Sequence, residues 1–242
     1  MKRLVYSLFL LCLLVSAKSD KKPYNEKFRP QFHFSPEKNW LFEPNGFVFY
    51  KGEYHLFYHN VSINNKIYSD QLGHAVSKDL IHWQHLPFAF TPEENAASLI
   101  STPPMSGSAI VDSLNLSGLQ TKDEKPMLIF YSDSIGNQNL AVSQDKGMTW
   151  NKYVKNPIIP NPGGNARDPK VFFHAPTGKW IMALFRSRCD NIKKDGISFY
   201  NSTDLLHWKY SSHLEGFGEC PDNFEVAVEG SSSEKKWFAI SG

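Results

Sequence analysis

The chain reads as an all-β protein of the β-propeller kind, and two observations predict it. Aromatic and β-branched runs bounded by Gly, Asn, Asp and Pro are frequent, while helical periodicity is scarce. Three short elements also recur in the same order along the chain. Such phased recurrence is what radially repeated small antiparallel sheets leave in a sequence.

Residues 1–17 stand outside that pattern. Lys2 and Arg3 precede an apolar run from Leu4 to Val15, and Val15-Ser16-Ala17 offers a small-residue cleavage site. That is the layout of a secretory signal peptide. A retained anchor is the competing reading, although the run is short for a bilayer span. No later segment has the composition to cross a membrane, so the mature chain is expected to be secreted, with no membrane partner.

The first repeat opens at Trp40–Tyr50. Glu43 lies on a Pro44-Asn45-Gly46 turn that leads into the apolar run Phe47 to Tyr50. A Lys51-Gly52 turn and a second run, Tyr54 to Tyr58, complete a hairpin signal. Glu43 is thus expected at the entrance of a strand. Equivalent first strands are expected at Gly107 to Asp112, Asp168 to Phe173 and Asn223 to Val228. Second strands are expected at Lys125 to Tyr131, Gly178 to Phe185 and Lys236 to Ile240. A third element ends on Asp and, shortly after, Trp: Asp79 and Trp83, Asp145 and Trp150, Asp204 and Trp208. At about 60 residues per unit, the chain is expected to hold three blades and half of a fourth. A β-sandwich with accidental similarity is the alternative.

Composition narrows the function classes. Charged residues make up 21% and the formal net charge is +2, which gives no electrostatic footprint for nucleic acid. Outside the leader only Cys189 and Cys220 remain. An oxidising compartment permits a bridge between them, but their spacing does not demand one. Asn60-Val61-Ser62, Asn115-Leu116-Ser117 and Asn201-Ser202-Thr203 are sequons, each a weak glycosylation signal alone. His55, His74, His82 and His207 show no metal-ligand spacing and read as strand or turn residues.

Acidic residues keep the same phase. Glu43 precedes the first strand of unit one, Asp168 begins that of unit three, and Glu219 shortly precedes that of unit four. Unit two places Ser106-Gly107-Ser108 at the matching position. In a propeller all these starts face one end of the central channel, so the three carboxylates are expected to share a pocket. Such a group suits glycoside hydrolysis, which needs a nucleophilic carboxylate and a second carboxyl acting as acid. The competing reading is that acidic residues merely mark turns.

Several motifs in order carry a family resemblance. Arg29-Pro30-Gln31-Phe32-His33-Phe34 leads to Asn39-Trp40 and Pro44-Asn45-Gly46. Gly73 to Leu80, Ser106 to Ala109, Arg167-Asp168-Pro169 and Glu219-Cys220-Pro221-Asp222 follow. Residues 26–242 resemble the amino-terminal part of glycoside hydrolase family 32, the invertases, inulinases and levanases. The resemblance implies a five-bladed propeller, here incomplete, that hydrolyses β-fructofuranosyl bonds of sucrose or fructans with retention. It implies Glu43 at the position of the nucleophile, Glu219 as general acid/base and Asp168 as transition-state stabiliser. It also implies Cys220 against Glu219, no metal or organic cofactor, and a small-molecule sugar as partner.

The substrate-binding positions carried over are Phe42, Asn45, His59, Met105, Ser106 and Arg167. The chain departs from the family at several of them. The family has Asp where Glu43 stands, Asn at Phe42, Gln at His59 and an aromatic at Met105; Ile67 and Leu72 stand where it has tryptophans. Glutamate carries its carboxylate one bond further, ~1.5 Å, and a misplacement of about 1 Å can cost about a hundredfold in rate. A catalytically silent, sugar- or protein-binding propeller is therefore the alternative function.

Overall fold

The computed structural model describes residues 24–30, 32–64, 67–91, 106–230 and 234–242. The leader at 1–17 and Met105 lie outside them. Three four-stranded antiparallel meanders and one hairpin account for nearly all the regular structure. The first blade is β1 (Trp40–Tyr50), β2 (Glu53–Asn64), β3 (Ile67–Ser77) and β4 (Trp83–Phe90). The second is β5 (Gly107–Val111), β6 (Met127–Ser132), β7 (Gln138–Ser143) and β8 (Asn151–Lys152). The third is β9 (Arg167–His174), β10 (Lys179–Arg186), β11 (Gly196–Ser202) and β12 (Lys209–Glu215). The hairpin pairs β13 (Asp222–Ala227) with β14 (Lys235–Ile240).

Local sequence explains the register. Lys51 and Gly52 both take positive φ, 47° and 84°, which matches a tight two-residue hairpin turn between Tyr50 and Glu53. One expectation is corrected here. Glu43 and Pro44 do not form a turn ahead of a strand; β1 already runs from Trp40. Irregularities in pairing between Leu41 and Pro44 and between Pro44 and Gly46 absorb the proline, which has no N–H to give to the ladder.

The Asp-to-Trp element is the turn into the fourth strand rather than the blade's end. Asp79 Oδ1 accepts from the N–H groups of Ile81 and His82 at 2.9 and 2.8 Å. Asp204 does the same for Leu206 and His207 at 3.0 and 2.8 Å. In each copy the tryptophan indole donates to a carbonyl in the turn: Trp83 to Leu80, Trp150 to Gly147 and Trp208 to Leu205. The repeat is therefore a hydrogen-bonding device, with a serine (Ser77, Ser143 or Ser202) and an aspartate satisfying the turn's donors.

The second blade buries both its faces, one against each neighbour. Along β6, Leu128 and Phe130 point to the third blade, whereas Met127, Ile129 and Tyr131 point to the first. Trp150 meets Phe57 of the first blade edge-on, Trp208 meets Phe130 of the second, and Trp237 packs on Phe172 and His174 of the third. Between the first two blades, buried His55 bonds His74 at 2.9 Å, and His74 reaches the Gly147 carbonyl at 3.1 Å. Burial, with His55 beside it, pushes the His74 imidazole down to about 3, so this junction stays neutral. A Cβ on Gly147 would stand 2.4 Å from the His74 ring, so the turn needs glycine there.

Candidate active site

The strand starts of all four units line one cavity of about 670 Å³, with Glu43, Asn45, Ser106, Ser108, Asp168, Lys170, Cys220 and Asn223 on its wall. Glu43 comes from β1 and Asp168 from β9. Cys220 lies just ahead of β13 and brings the two together: its thiol is 3.7 Å from Glu43 Oε2 and 3.7 Å from Asp168 Oδ2. The Cys220 N–H donates to Asp168 Oδ2 at 3.0 Å. Ser106 donates its hydroxyl to Glu43 Oε1, and buried His59 stands 4.0 Å from the same oxygen.

Arg167 continues the chain of contacts. Its Nε is 3.8 Å from Asp168, and it meets Glu219 through Nε at 3.2 Å and Nη2 at 2.7 Å. The ring of Phe185 backs the guanidinium at 4.6 Å. A continuous path thus runs from Glu43 through Cys220, Asp168 and Arg167 to Glu219. Glu219 is not part of the cavity wall; its side chain is 57% exposed and folded onto Arg167.

The electrostatics separate the carboxyl groups. Burial pushes the Asp168 carboxyl up, with Cys220 N–H, Ser106 and Arg167 opposing and the Glu43 charge adding to the rise. Hydrogen bonding to Arg167 holds the Glu219 carboxyl below its ordinary range. Burial and the charges of Asp168 and Glu43 push the Cys220 thiol up to about 12. It therefore remains S–H, with one proton shared between the two carboxylates. Asp168 and Cys220 both hold left-handed backbone, with φ of 59° and 53°. Such non-glycine conformations are costly and concentrate at functional sites.

The sequence-predicted residues are brought together unevenly. Glu43, Asn45, Ser106 and Asp168 line the cavity, with Arg167 and Glu219 joined to them through the ion pair. Phe42 does not line it; its ring is 71% exposed and stacks loosely on His59 at 6.5 Å. Cys220 was expected against Glu219, but its thiol is directed to Glu43 and Asp168. Both described cysteines, Cys189 and Cys220, are free thiols. Asn60 is buried, accepting from Asn39 and donating to the Lys38 carbonyl, so that sequon's nitrogen is not presented. Asn223 on the cavity wall was placed at the start of a strand in the sequence but not counted as a site residue, although its place one residue into the fourth inner strand was a usable signal.

Fold and site together define a carboxylate-lined β-propeller of the glycosidase type. The description "Glycosyl hydrolases family 32 N-terminal domain" matches residues 33–242, and the chain belongs to that family. It is 43% identical to a levanase of Bacillus subtilis (strain 168), over 98% of this chain and 35% of the levanase. It is 32% identical to the extracellular exo-inulinase of Aspergillus niger, over 90% of this chain and 45% of that protein. The structure of a fructofuranosidase from Schwanniomyces occidentalis complexed with fructose superposes with a TM-score of 0.76 at 32% identity, covering 92% of this chain and 44% of that one. The chain thus spans less than half the length of these relatives.

Proposed function

We propose that this chain supplies the catalytic funnel of a secreted retaining β-fructofuranosidase acting on sucrose or a fructan. The observation that carries the reading is the linked path of three carboxyl groups from three separate units, two of them held by one thiol. The relatives named levanase and exo-inulinase, and the fructose complex of a structural neighbour, support the substrate class.

In this reading Glu43 attacks the anomeric carbon as the bond to the leaving oxygen breaks, and Glu219 gives that oxygen its proton. The resulting glycosyl ester on Glu43 is then cleaved by water, whose proton Glu219 takes back. Asp168, buried and hydrogen-bonded, accepts from sugar hydroxyls and faces the positive charge that develops on the ring. Cys220 bridges Glu43 and Asp168 without adding a charge of its own.

A silent binding propeller is the second reading, and the glutamate at position 43 with exposed Phe42 beside it favours it. Sucrose hydrolysis by the full-length protein separates the two. Glu219→Gln is expected to abolish turnover with folding intact, because an amide is far too weak an acid to protonate the leaving oxygen; a mutant as fast as wild type sinks the acid/base assignment. Glu43→Asp with Phe42→Asn is expected to raise the rate if the pocket is a weakened fructosidase site. Sugar binding without hydrolysis in both proteins establishes the silent reading instead.

A further inference from the structure

The cavity contains two donors that have nothing to donate to. Asn45 on β1 is 3% exposed and Asn223 on β13 is 8% exposed. Neither side-chain nitrogen has a partner among the described residues. For Asn45 the assignment is fixed by chemistry, because its Oδ1 accepts from the Gly107 N–H at 3.3 Å and leaves Nδ2 as the other end. Buried N–H groups without acceptors are rare and costly, and their usual explanation is a ligand or an ordered water.

The other polar side chains on the same wall already have partners within the protein. Ser106 gives its proton to Glu43, and Ser108 to the Pro169 carbonyl at 2.7 Å. Lys170 pairs with Asp222 at 2.9 Å, and the Cys220 thiol serves Glu43 and Asp168. The carboxylates can only accept. A sugar hydroxyl needs both a partner for its proton and a donor for its oxygen. Carboxylates answer the first need, and the two amide nitrogens, which have no partner among the described residues, are available to answer the second.

We propose that Asn45 and Asn223 are the donors that read the sugar's hydroxyl oxygens, while Glu43 and Asp168 take protons from those hydroxyls. The inference rests on the fructosidase reading for the ligand being a sugar, and it adds Asn223 as a specificity-determining residue. Asn223 is the cleaner of the two to test, since Asn45 also holds the β5 backbone through Gly107.

The experiment is fructose and sucrose binding by calorimetry to full-length protein carrying Glu219→Gln, with and without Asn223→Leu. Leucine keeps the branching of asparagine and removes the unpaired donor. The variant is expected to melt no lower than its parent in the absence of sugar and to bind sugar at least tenfold more weakly. A large fall in melting temperature, or failure to fold, shows that Asn223 is structural and overturns the proposal. Unchanged affinity in a folded variant overturns it equally. A parent that binds neither sugar defeats the fructosidase reading itself, a result distinct from either of those.

Discussion

Glu219 meets the ligand-free funnel in the wrong protonation state for the role proposed for it. Its carboxyl is hydrogen-bonded by Arg167 through both oxygens and held below the ordinary range, yet a general acid must carry a proton. A lowered pKa means the proton is lost earlier as pH rises, so the alkaline limb of kcat/KM, which reports the free enzyme's acid, lies low. Arg167→Leu removes the cation and is expected to move that limb to higher pH while lowering kcat. A limb that stays in place shows that Glu219 is not the titrating acid. Residue identity at these positions was legible from phase alone, because every inner strand starts at the same end of the channel. Direction was not. Cys220 follows Glu219 in sequence, but adjacency does not say where a side chain points, and with Cys220 in left-handed backbone its thiol reaches two other carboxylates.

The Asp-to-Trp turn does different work in different blades. In the third blade the turn anchors Leu205, fully buried in the apolar core between the second and third blades; in the first, the corresponding Leu80 is 44% exposed. Partial burial opposes ionisation of Asp204, but bonds from the His207 ring and from the His207 and Leu206 N–H groups hold it down at about 2. Asp204→Ala leaves those N–H groups without an acceptor and should lower stability in urea by about 1–2 kcal/mol. Asp79→Ala should cost less than half as much, because water replaces its bonds. Equal losses would mean the turn acts locally and not through the core beneath it. The strands were legible because their apolar runs alternate between two buried interfaces. The start of β1 was not, since Pro44-Asn45-Gly46 carries turn chemistry that the bulges override.

Among the described residues, two apolar surfaces face no blade. Phe47 and Phe49 on β1 are more than half exposed, and on the hairpin Phe224, Val226, Phe238 and Ile240 are exposed as well. Among the described residues β14 pairs only with β13, so one of its edges carries an open ladder. A polypeptide limited to residues 18–242 is expected to self-associate with rising concentration in sedimentation, and Phe238→Lys to reduce it. A monomeric segment that melts cooperatively with these faces bare would refute that expectation. The three full units were legible because each carries its own tryptophan and its own turn, and the fourth because its two strands repeat the pattern of the inner pair. How the funnel's far side is closed was not, because closure depends on contacts between units and not on any one unit's pattern. The layout of the carboxyl groups has a mechanical corollary. Glu43 and Asp168 arrive on different blades and Glu219 on the link into the hairpin, so no single blade contains the whole site. Their spacing is a gauge of blade orientation: a small tilt between neighbours, too slight to break a strand, throws the carboxyl groups out of alignment. In such a machine, activity is the most sensitive instrument for how truly the blades are set.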